Sequence, residues 1–429
     1  MNTYSSYKDS GVEWIGEVPS EWECLRGRFL FENKKIINKE FQCENLLSLT
    51  LFGVLNKNME SHKGLRPSNY KTYQLFEKDD LVFKLIDLEN VKTSRVGLVH
   101  ENGIMSPVYI RLEPNKNSHS KYNYYYFYDL YKKEIFNFLG SGVRSSLSPS
   151  DLLEIEVPVP PLQEQQQISD YLDYKTLKID TLIEKTEQKI ELLKEQRTSL
   201  INTTVTKGLN PNVEMKDSGV EWIGEIPSKW KTTRLKYIFK LREEKTDTGE
   251  GELLTVTITK GIVRRRDFIK KGDHLSRSKS LKGYKVCYTN DLVNNIMKMG
   301  FRCLGISDYN GIVSPAYSVF SFINNKNKPM YWDYLLRTDL YVTEYKKRSK
   351  GIQESRMRLY DDYFLDIVSI VPPHQEQQQI VDYLDKENSK LDKLIDIESK
   401  RIKLLKEYRQ SLISDVVTGK VDVRDEVLG

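Results

Sequence analysis

An internal duplication of about 210 residues is the feature that most constrains how this chain can fold. Residues 8–22 read KDSGVEWIGEVPSEW and residues 216–230 read KDSGVEWIGEIPSKW, so that 13 of 15 positions are identical. Residues 160–173 read PPLQEQQQISDYLD and return at 372–385 as PPHQEQQQIVDYLD, with 12 of 14 identities. The residues between these segments share only a skeleton. The chain therefore consists of two units that keep a common frame and differ in what the frame carries.

A long amphipathic pattern follows the proline pair of each unit. It predicts two helices of about 45 residues, which end near Gly208 and Gly419. A stripe of this length cannot be buried by one helix alone, so we expect the two helices to form an antiparallel two-helix coiled coil. Apolar residues on the outer faces, such as Leu177 and Leu182, are candidates for contacts with other proteins. The predicted seam consists of Leu172, Ile179, Ile183, Ile190, Leu193, Leu200, Leu384, Leu391, Ile395, Ile402, Leu405 and Leu412.

The remaining residues predict two globular domains of α/β (α+β) class plus the long helices, related by a pseudo-two-fold internal repeat. Each domain ends in an aromatic stretch with helical spacing. In the first stretch one predicted face is Tyr124, Tyr128, Tyr131, Ile135 and Phe138, a spacing that favours core packing over base stacking. The predicted parts are a frame segment at 1–22, a first domain at 23–159, a first helix at 160–207, a linker with the repeated frame segment at 208–230, a second domain at 231–371, a second helix at 372–420 and a tail at 421–429.

The surplus of positive charge lies in the two globular domains. Residues 234–360 contain 26 Lys and Arg against 13 Asp and Glu, and residues 23–150 contain 19 against 14. The helical stretches are nearly balanced, with 7 against 8 at 160–207 and 9 against 9 at 372–420. This distribution indicates a polyanionic partner for the domains, with solvated surface as the alternative at each site. The candidate contacts are Lys260, Arg264, Arg265, Arg266, Lys270, Lys271, Arg277 and Lys279 in the second domain, and Lys57, Lys63, Arg66, Lys92, Arg95 and Arg144 in the first.

Three common sequence motifs of catalysis or nucleotide binding are absent from the chain. It has no GxxxxGK[ST], no GxGxxG after a strand and no Asn-Pro-Pro-aromatic motif. The five histidines are scattered, and the four cysteines have no CxxC spacing, so no metal or catalytic residues are predicted. Because there is no apolar run of 18 residues and no signal segment, we expect a cytoplasmic protein.

The repeated KDSGVEWIGE segments, the PPLQEQQQI and PPHQEQQQI segments and the terminal VVTGKVDVR at 416–424 together resemble the specificity subunit of Type I restriction-modification enzymes. The resemblance covers essentially the whole chain. It implies a non-catalytic subunit of a methyltransferase/endonuclease complex, in which each globular domain is a target-recognition domain that reads one half of a bipartite double-stranded DNA site. It implies that the helices set the spacer and dock two modification subunits, which bring S-adenosylmethionine, while restriction subunits bring ATP and Mg²⁺.

Two other interpretations stay open at this point. The chain could be a coiled-coil scaffold with two peptide- or RNA-binding heads, which selective retention of duplex DNA against competitor RNA would contradict. It could also be a self-sufficient nuclease or methylase, which the absent motifs oppose.

Overall fold

The computed structural model describes residues 2–57, 70–88, 94–140, 146–268, 280–351 and 357–426. The first half of the chain forms strands β1 Tyr7–Asp9, β2 Glu17–Pro19, β3 Glu23–Arg26, β4 Phe31–Glu32, β5 Leu47–Thr50, β6 Gly53–Asn56, β7 Gln74–Phe76, β8 Leu81–Phe83, β9 Val96–Leu98, β10 Gly103–Met105, β11 Ile110–Pro114 and β12 Glu156–Val159. Its helices are α1 Ser120–Lys132, α2 Ile135–Leu139, α3 Pro149–Glu154 and α4 Leu162–Lys207.

The second half repeats this order of elements. Its strands are β13 Met215–Asp217, β14 Glu225–Pro227, β15 Lys231–Arg234, β16 Phe239–Leu241, β17 Leu254–Thr257, β18 Gly261–Arg264, β19 Lys285–Cys287, β20 Leu292–Asn295, β21 Leu304–Ile306, β22 Gly311–Val313, β23 Tyr317–Phe322 and β24 Val368–Val371. Its helices are α5 Pro329–Leu336, α6 Asp339–Arg348, α7 Asp361–Leu365 and α8 His374–Val417.

Strand pairing also repeats. In the first half a four-stranded sheet has the order β4-β11-β8-β9, and in the second half the order is β16-β23-β20-β21. The remaining ladders are β1–β2, β3–β12, β5–β6 and β7–β10, with equivalents β13–β14, β15–β24, β17–β18 and β19–β22. These ladders are antiparallel, so the predicted mixed content is confirmed in its α+β form. Two inserts with little common sequence thus have the same connectivity.

Contacts divide the chain into two compact units. Unit 1 consists of residues 1–187 and 399–429, and unit 2 consists of residues 188–398. Both divisions fall inside the long helices, so each unit contains one globular domain, one segment of α4 and one segment of α8. The domain boundaries predicted above follow the repeat instead of these contacts, and they stay predictions.

Within each unit the two helix segments run antiparallel. In unit 1, Arg409 Nε lies 2.9 Å from Asp180 Oδ1, and Lys406 Nζ lies 3.8 Å from Glu187 Oε1. As the residue number rises along α4, that of the partner on α8 falls. Unit 2 shows the same order in its own cross-helix ion pairs, Lys189 with Glu398 and Arg197 with Asp392.

The predicted seam residues all occupy buried or partly buried positions. Leu172, Ile179, Ile183, Ile190, Leu384, Leu391 and Leu412 are buried, and Leu193, Leu200, Ile395, Ile402 and Leu405 are partly buried. Gly208 and Gly419 follow the helix ends with φ of +79° and +72°, the conformation of a helix C-terminal cap. Among the helices in the described ranges, none is long and apolar enough to cross a membrane.

The frame tryptophan and the QEQQQ motif meet at the start of each long helix. In unit 1 the indole N–H of Trp22, which is fully buried, donates to Glu164 Oε1 at 3.1 Å. The Tyr4 hydroxyl donates to the same oxygen at 2.6 Å. In unit 2 the indole N–H of Trp230 donates to Glu376 Oε2 at 2.9 Å. We call each of these contacts a frame junction, and they explain why both motifs are repeated together.

The glutamine after that glutamate attaches the globular domain to the helix. Gln165 donates through Nε2 to the carbonyl of the proline five residues before it, and its Oε1 accepts from the backbone N–H of His119, the N-cap of α1. Gln377 makes the equivalent bonds in unit 2, where the backbone N–H that it accepts belongs to Lys328, the N-cap of α5. This glutamine of the QEQQQ motif therefore connects the globular domain to the long helix in each unit.

The C-terminal end of the other helix closes each frame junction. A Cβ atom on Gly419 would lie 2.3 Å from Pro19 Cδ and 3.2 Å from the Trp22 ring, so only glycine fits there. A Cβ atom on Gly208 would lie 3.3 Å from the Trp230 ring. Because φ is positive at both glycines, a larger residue would also be strained. Each junction thus needs the start of one long helix and the end of the other.

The aromatic stretch of the first domain differs from its prediction. It forms two helices, α1 and α2, separated at Glu134, which has φ of +60°. The prediction of core packing is confirmed for four of the five residues on the predicted face, which are partly buried against the core, and it is wrong for Phe138, which is exposed. The most deeply buried tyrosines of the stretch are Tyr122, Tyr125 and Tyr126. The break after α1 changes the direction of the chain, which a single helical period cannot anticipate.

We predict that Tyr4→Phe lowers the free energy of unfolding of unit 1 by about 1–2 kcal/mol, because the buried Glu164 carboxylate loses one of its two donors. Denaturant unfolding followed with hydrogen exchange would measure the loss. The matched control is Tyr237→Phe, which removes a hydroxyl from an exposed ring and should leave stability unchanged. Equal effects of the two changes would show that the Tyr4 hydroxyl does not stabilise the frame junction.

Candidate nucleic-acid interface

Four basic candidates of the second domain, Lys260, Arg264, Arg265 and Arg266, lie on the β17–β18 hairpin and the turn that follows it. Lys260 is exposed at the hairpin tip, between Thr257 and Gly261. Arg264 ends β18 opposite Leu254, at the far end of the hairpin. Arg264 lies four residues after Lys260 along the strand, a span of about 13 Å. The candidates that the structure describes are therefore distributed along one hairpin and its following turn.

Arg264 is stacked on an aromatic ring. Its guanidinium carbon lies 4.6 Å from the centroid of the Tyr309 ring. Tyr309 belongs to a loop in which its backbone N–H donates to Ser307 Oγ, and Ser307 Oγ donates to the Tyr309 carbonyl. Stacking restricts the guanidinium plane, so its donors are held in a fixed direction. This restriction favours a directional contact.

Arg265 and Arg266 lie in a 3-10 turn, Arg265–Asp267, that directly follows β18. Arg266 is exposed, and its Nη2 lies 2.9 Å from Glu252 Oε2. Exposed ion pairs of this kind contribute only about 0–1 kcal/mol. Arg266 can therefore exchange its carboxylate for a phosphate at small cost.

Several predicted contacts fall outside the residues that the structure describes. These are Lys63, Arg66, Lys92, Arg144, Lys270, Lys271, Arg277 and Lys279. In the first domain Lys57 is exposed directly after β6. These candidates stay predictions.

Arg95 does not lie on the surface, which contradicts its prediction as a DNA contact. Arg95 is only 2% exposed. Its guanidinium donates to the Ile86 carbonyl at 3.2 Å and to the Asp87 carbonyl at 2.6 Å. These bonds fix the chain after β8. The spacing of basic residues carried no signal of this burial, because the carbonyls come from a separate segment.

A second arginine of the first domain is also buried. Arg111 on β11 is 1% exposed, and its Nε lies 2.6 Å from Asp80 Oδ2. Burial raises the pKa of Asp80 to about 6, although the adjacent guanidinium opposes this shift. With Arg95 and Arg111 inside, the first domain presents fewer arginines on its surface than its composition indicates.

Aromatic residues beside the basic ones were missed by the sequence analysis. Tyr309 supports Arg264 from 45 positions away in the sequence, and no local pattern links the two. In the second domain, the exposed Phe268 follows the Arg265–Asp267 turn. In the first domain, the β5–β6 hairpin is equivalent to β17–β18, and Phe52 is exposed at its tip. A large apolar residue on a hairpin tip is the only local signal that could have identified Phe52.

Each unit also contains a cleft between its own hairpin tip and its own helix segments. The cleft of unit 1 measures about 630 Å³ and that of unit 2 about 590 Å³. Their linings mix both signs of charge, for example Arg409 with Asp180 and Arg337 with Asp333. This mixture does not favour a polyanion inside the clefts. Within the described ranges, no group of three or more His, Cys, Asp or Glu could hold a metal ion.

Comparison with solved structures supports the observed fold. The chain superposes on the crystal structure of the HsdS subunit from Thermoanaerobacter tengcongensis with a TM-score of 0.55, at 13% identity, over 98% of this chain and 100% of that one. A chain from a structural study of complex assembly and conformational transition in the type I R-M system gives a TM-score of 0.60, at 13% identity, over 94% and 99%. At this identity the likeness shows a common fold.

Comparison of sequences identifies the family. The chain is 24% identical over 346 residues to the Type I restriction enzyme MjaVIII specificity subunit of Methanocaldococcus jannaschii, a match that covers 76% of each protein. The family model of the Type I restriction modification DNA specificity domain matches twice, at residues 19–192 and 227–407. Since the two matches cover most of the chain and coincide with its duplicated halves, this chain belongs to the Type I restriction-modification specificity-subunit family.

Proposed function

We propose that this chain recognises a bipartite DNA site, with each globular domain reading one half-site. The observation that carries the proposal is the contrast between frame and insert. The frame segments are nearly identical, whereas the inserts keep the same connectivity with different residues and carry the surplus positive charge. This contrast is what a subunit needs if it presents two different short sequences to one DNA duplex.

Within the second domain, we assign different roles to Arg264 and Arg266. The stacked Arg264 guanidinium suits a guanine edge, because a fixed planar fork can make a bidentate bond to O6 and N7. The exposed Arg266 suits a phosphate, because its present ion pair with Glu252 is accessible to solvent and contributes little free energy. Lys260, on the hairpin tip, extends this proposed interface.

The two arginines should therefore respond differently to substitution. Arg264→Lys keeps the charge but loses the planar guanidinium. It should lower the binding preference at one base pair by about 1–3 kcal/mol and leave the salt dependence of binding unchanged. Arg266→Ala should weaken binding to all sequences alike and lower the log–log salt slope by about one. Binding of the assembled methylase to single-base variants at several salt concentrations measures both effects.

Arg266→Lys is the matched control, since a phosphate accepts either cation and this variant should bind normally. Both arginine effects should be confined to the half-site that the second domain reads. If Arg264→Lys and Arg266→Ala leave preference and salt slope unchanged, both side chains are ordinary solvated surface.

The long helices are proposed to dock two modification subunits. In support, exposed leucines occur at equivalent positions of the repeat. Leu192 on α4 and Leu404 on α8 are each 64% exposed, and Leu182 and Leu394 are exposed as well. Solvent-facing leucines do not stabilise a coiled coil, and their retention in both copies is expected if one partner binds each copy. Leu177, also exposed, has a serine at the equivalent position, so it contributes to one copy only.

Replacing the retained leucines should weaken this docking. Leu192→Gln and Leu404→Gln together should lower the affinity for the modification subunit by about 1–3 kcal/mol, with no loss of helix stability, because the side chains are exposed. Titration followed by analytical ultracentrifugation measures the affinity. The control is Glu191→Gln, at an exposed neighbouring position where the repeat has Lys403. Unchanged affinity in the double leucine variant would rule out docking on these residues.

The helices are also proposed to set the spacer between half-sites. An insertion at residues 203–206 would displace Val205, which is buried and whose carbonyl accepts from the Tyr331 hydroxyl at 3.1 Å. A sharper test inserts four residues after Glu187 and four after Glu398, where the two units divide. This design leaves the contacts within each unit intact. Each helix then lengthens by about 6 Å.

The matched insertions should lengthen the preferred spacer by roughly one or two base pairs and leave both half-sites unchanged, because the rise per base pair is about 3.4 Å. Mapping of the methylated sites gives both the spacer and the half-sites. If the matched insertions changed the bases that are recognised in either half-site, that result would contradict the role of the helices as spacers.

The chemistry of the complex is proposed to belong to its partners. The sequence carries no nucleotide-binding or amino-methylating motif, which supports placing S-adenosylmethionine on the modification subunits and ATP with Mg²⁺ on restriction subunits. The purified chain with S-adenosylmethionine and duplex DNA should transfer no methyl group. Methylation should appear when the modification subunit is added.

A further inference from the structure

The duplication allows the surface of one unit to be compared with that of the other. Residues that face solvent and are not needed by the fold are free to diverge after duplication, as the inserts have done. A large exposed side chain that has kept its character in both copies therefore indicates a partner that meets both copies. DNA half-sites differ between the two domains, so base recognition does not explain such retention.

Among the described residues, one aromatic side chain in each globular domain meets this criterion. Phe29 ends the 3-10 turn Gly27–Phe29 after β3, and Tyr237 ends the equivalent turn Leu235–Tyr237 after β15. Their exposures are nearly equal, 62% and 63%. The residues that follow, Leu30 and Phe31 in unit 1, are buried, so their retention is explained by the core. The exposed rings have no such explanation.

Hydrogen bonds attach each turn to its own domain. In unit 1 the Gly27 N–H donates to the Ile155 carbonyl at 2.8 Å, and the Phe29 carbonyl accepts from Asn115 Nδ2 at 2.6 Å. In unit 2 the Leu235 N–H donates to the Ile367 carbonyl at 2.8 Å. Each ring is thus presented from a backbone that is already fixed. An aromatic side chain on an ordered backbone has few rotatable bonds to restrict on binding, which suits an anchor residue of a protein interface.

A basic side chain borders each ring. The guanidinium carbon of Arg28 lies 5.8 Å from the Phe29 ring centroid, and Lys236 Nζ lies 5.5 Å from that of Tyr237. Nearby arginines are paired with carboxylates of the same unit, Arg26 and Arg28 with Glu154, and Arg234 with Asp366. An apolar anchor with a rim of paired charges is typical of protein–protein interfaces. The paired carboxylates also make the rim less favourable for a phosphate backbone.

We propose that Phe29 and Tyr237 are equivalent anchors for the protein that binds once to each half of this chain, and that this protein is the modification subunit. The proposal rests on the proposed docking of two modification subunits and adds a second contact, on the globular domains, to the contact on the helices. The occupant encloses each ring in an apolar pocket, and an acidic group of the occupant faces Lys236.

The test uses the full chain and its modification subunit without DNA. Phe29→Ala and Tyr237→Ala should each lower the affinity for one of the two copies by about tenfold to thirtyfold, as expected for an anchor residue. At concentrations where the native chain binds two copies, each single variant should then give mainly one-to-one complexes in native mass spectrometry. The double variant should weaken both copies. Because the rings are exposed, thermal unfolding of the isolated variants should match that of the native chain.

Two controls separate anchoring from other effects. Phe29→Tyr exchanges one retained residue for its counterpart and should bind normally. Phe138→Ala removes an exposed ring at which the other copy has no aromatic residue, and it should also bind normally. Native affinity in both alanine variants would overturn the proposal. If the helix leucine variants still weaken binding, only this inference fails; if those variants also bind normally, the proposed docking fails with it.

DNA binding provides the remaining outcome. A loss of DNA affinity in Phe29→Ala or Tyr237→Ala, with native affinity for the modification subunit, would show that the rings face the duplex and would also overturn the proposal.

Discussion

The frame junction at the start of each long helix is the interaction on which the rest of the structure depends. Trp22 donates to Glu164 on α4 while Gly419, after α8, packs against the same indole. In unit 2 the corresponding set is Trp230, Glu376 on α8 and Gly208 after α4. Each junction combines the beginning of one helix with the end of the other. One copy of the repeat therefore cannot complete its own junction, which gives a physical reason for two copies in one chain.

This arrangement separates what must be constant from what can vary. The frame segments, the QEQQQ glutamines and the terminal glycines are restrained by buried hydrogen bonds and close contacts, and they recur almost unchanged. The hairpins β5–β6 and β17–β18 keep only their pairing, so residues at their tips and in their following turns are free to differ. Phe52 in one tip and Lys260 in the other illustrate this freedom. New DNA specificity can arise there without disturbing the junctions.

Charge counts and surface charge are different quantities in this protein. The composition of the first domain includes Arg95 and Arg111, and both side chains are buried by carbonyl or carboxylate partners. In the second domain Arg266 is exposed, and Arg264 is partly exposed over Tyr309. The first domain thus presents fewer surface arginines than its sequence indicates, because burial of a side chain is decided only in the folded state.

The sequence by itself determined the duplication, the two long helices with their buried stripes and the family. The two copies are visible by comparing the sequence with itself, and helical periodicity is a property of neighbouring residues. Only the tertiary structure decided which aromatic residues of α1 are buried, that Arg95 lies inside, and that Tyr309 supports Arg264. It also decided that the repeated tryptophan and glutamate are bonding partners, 142 positions apart in unit 1. These facts depend on segments that are distant in the chain and meet only after folding, and no local pattern records such a meeting.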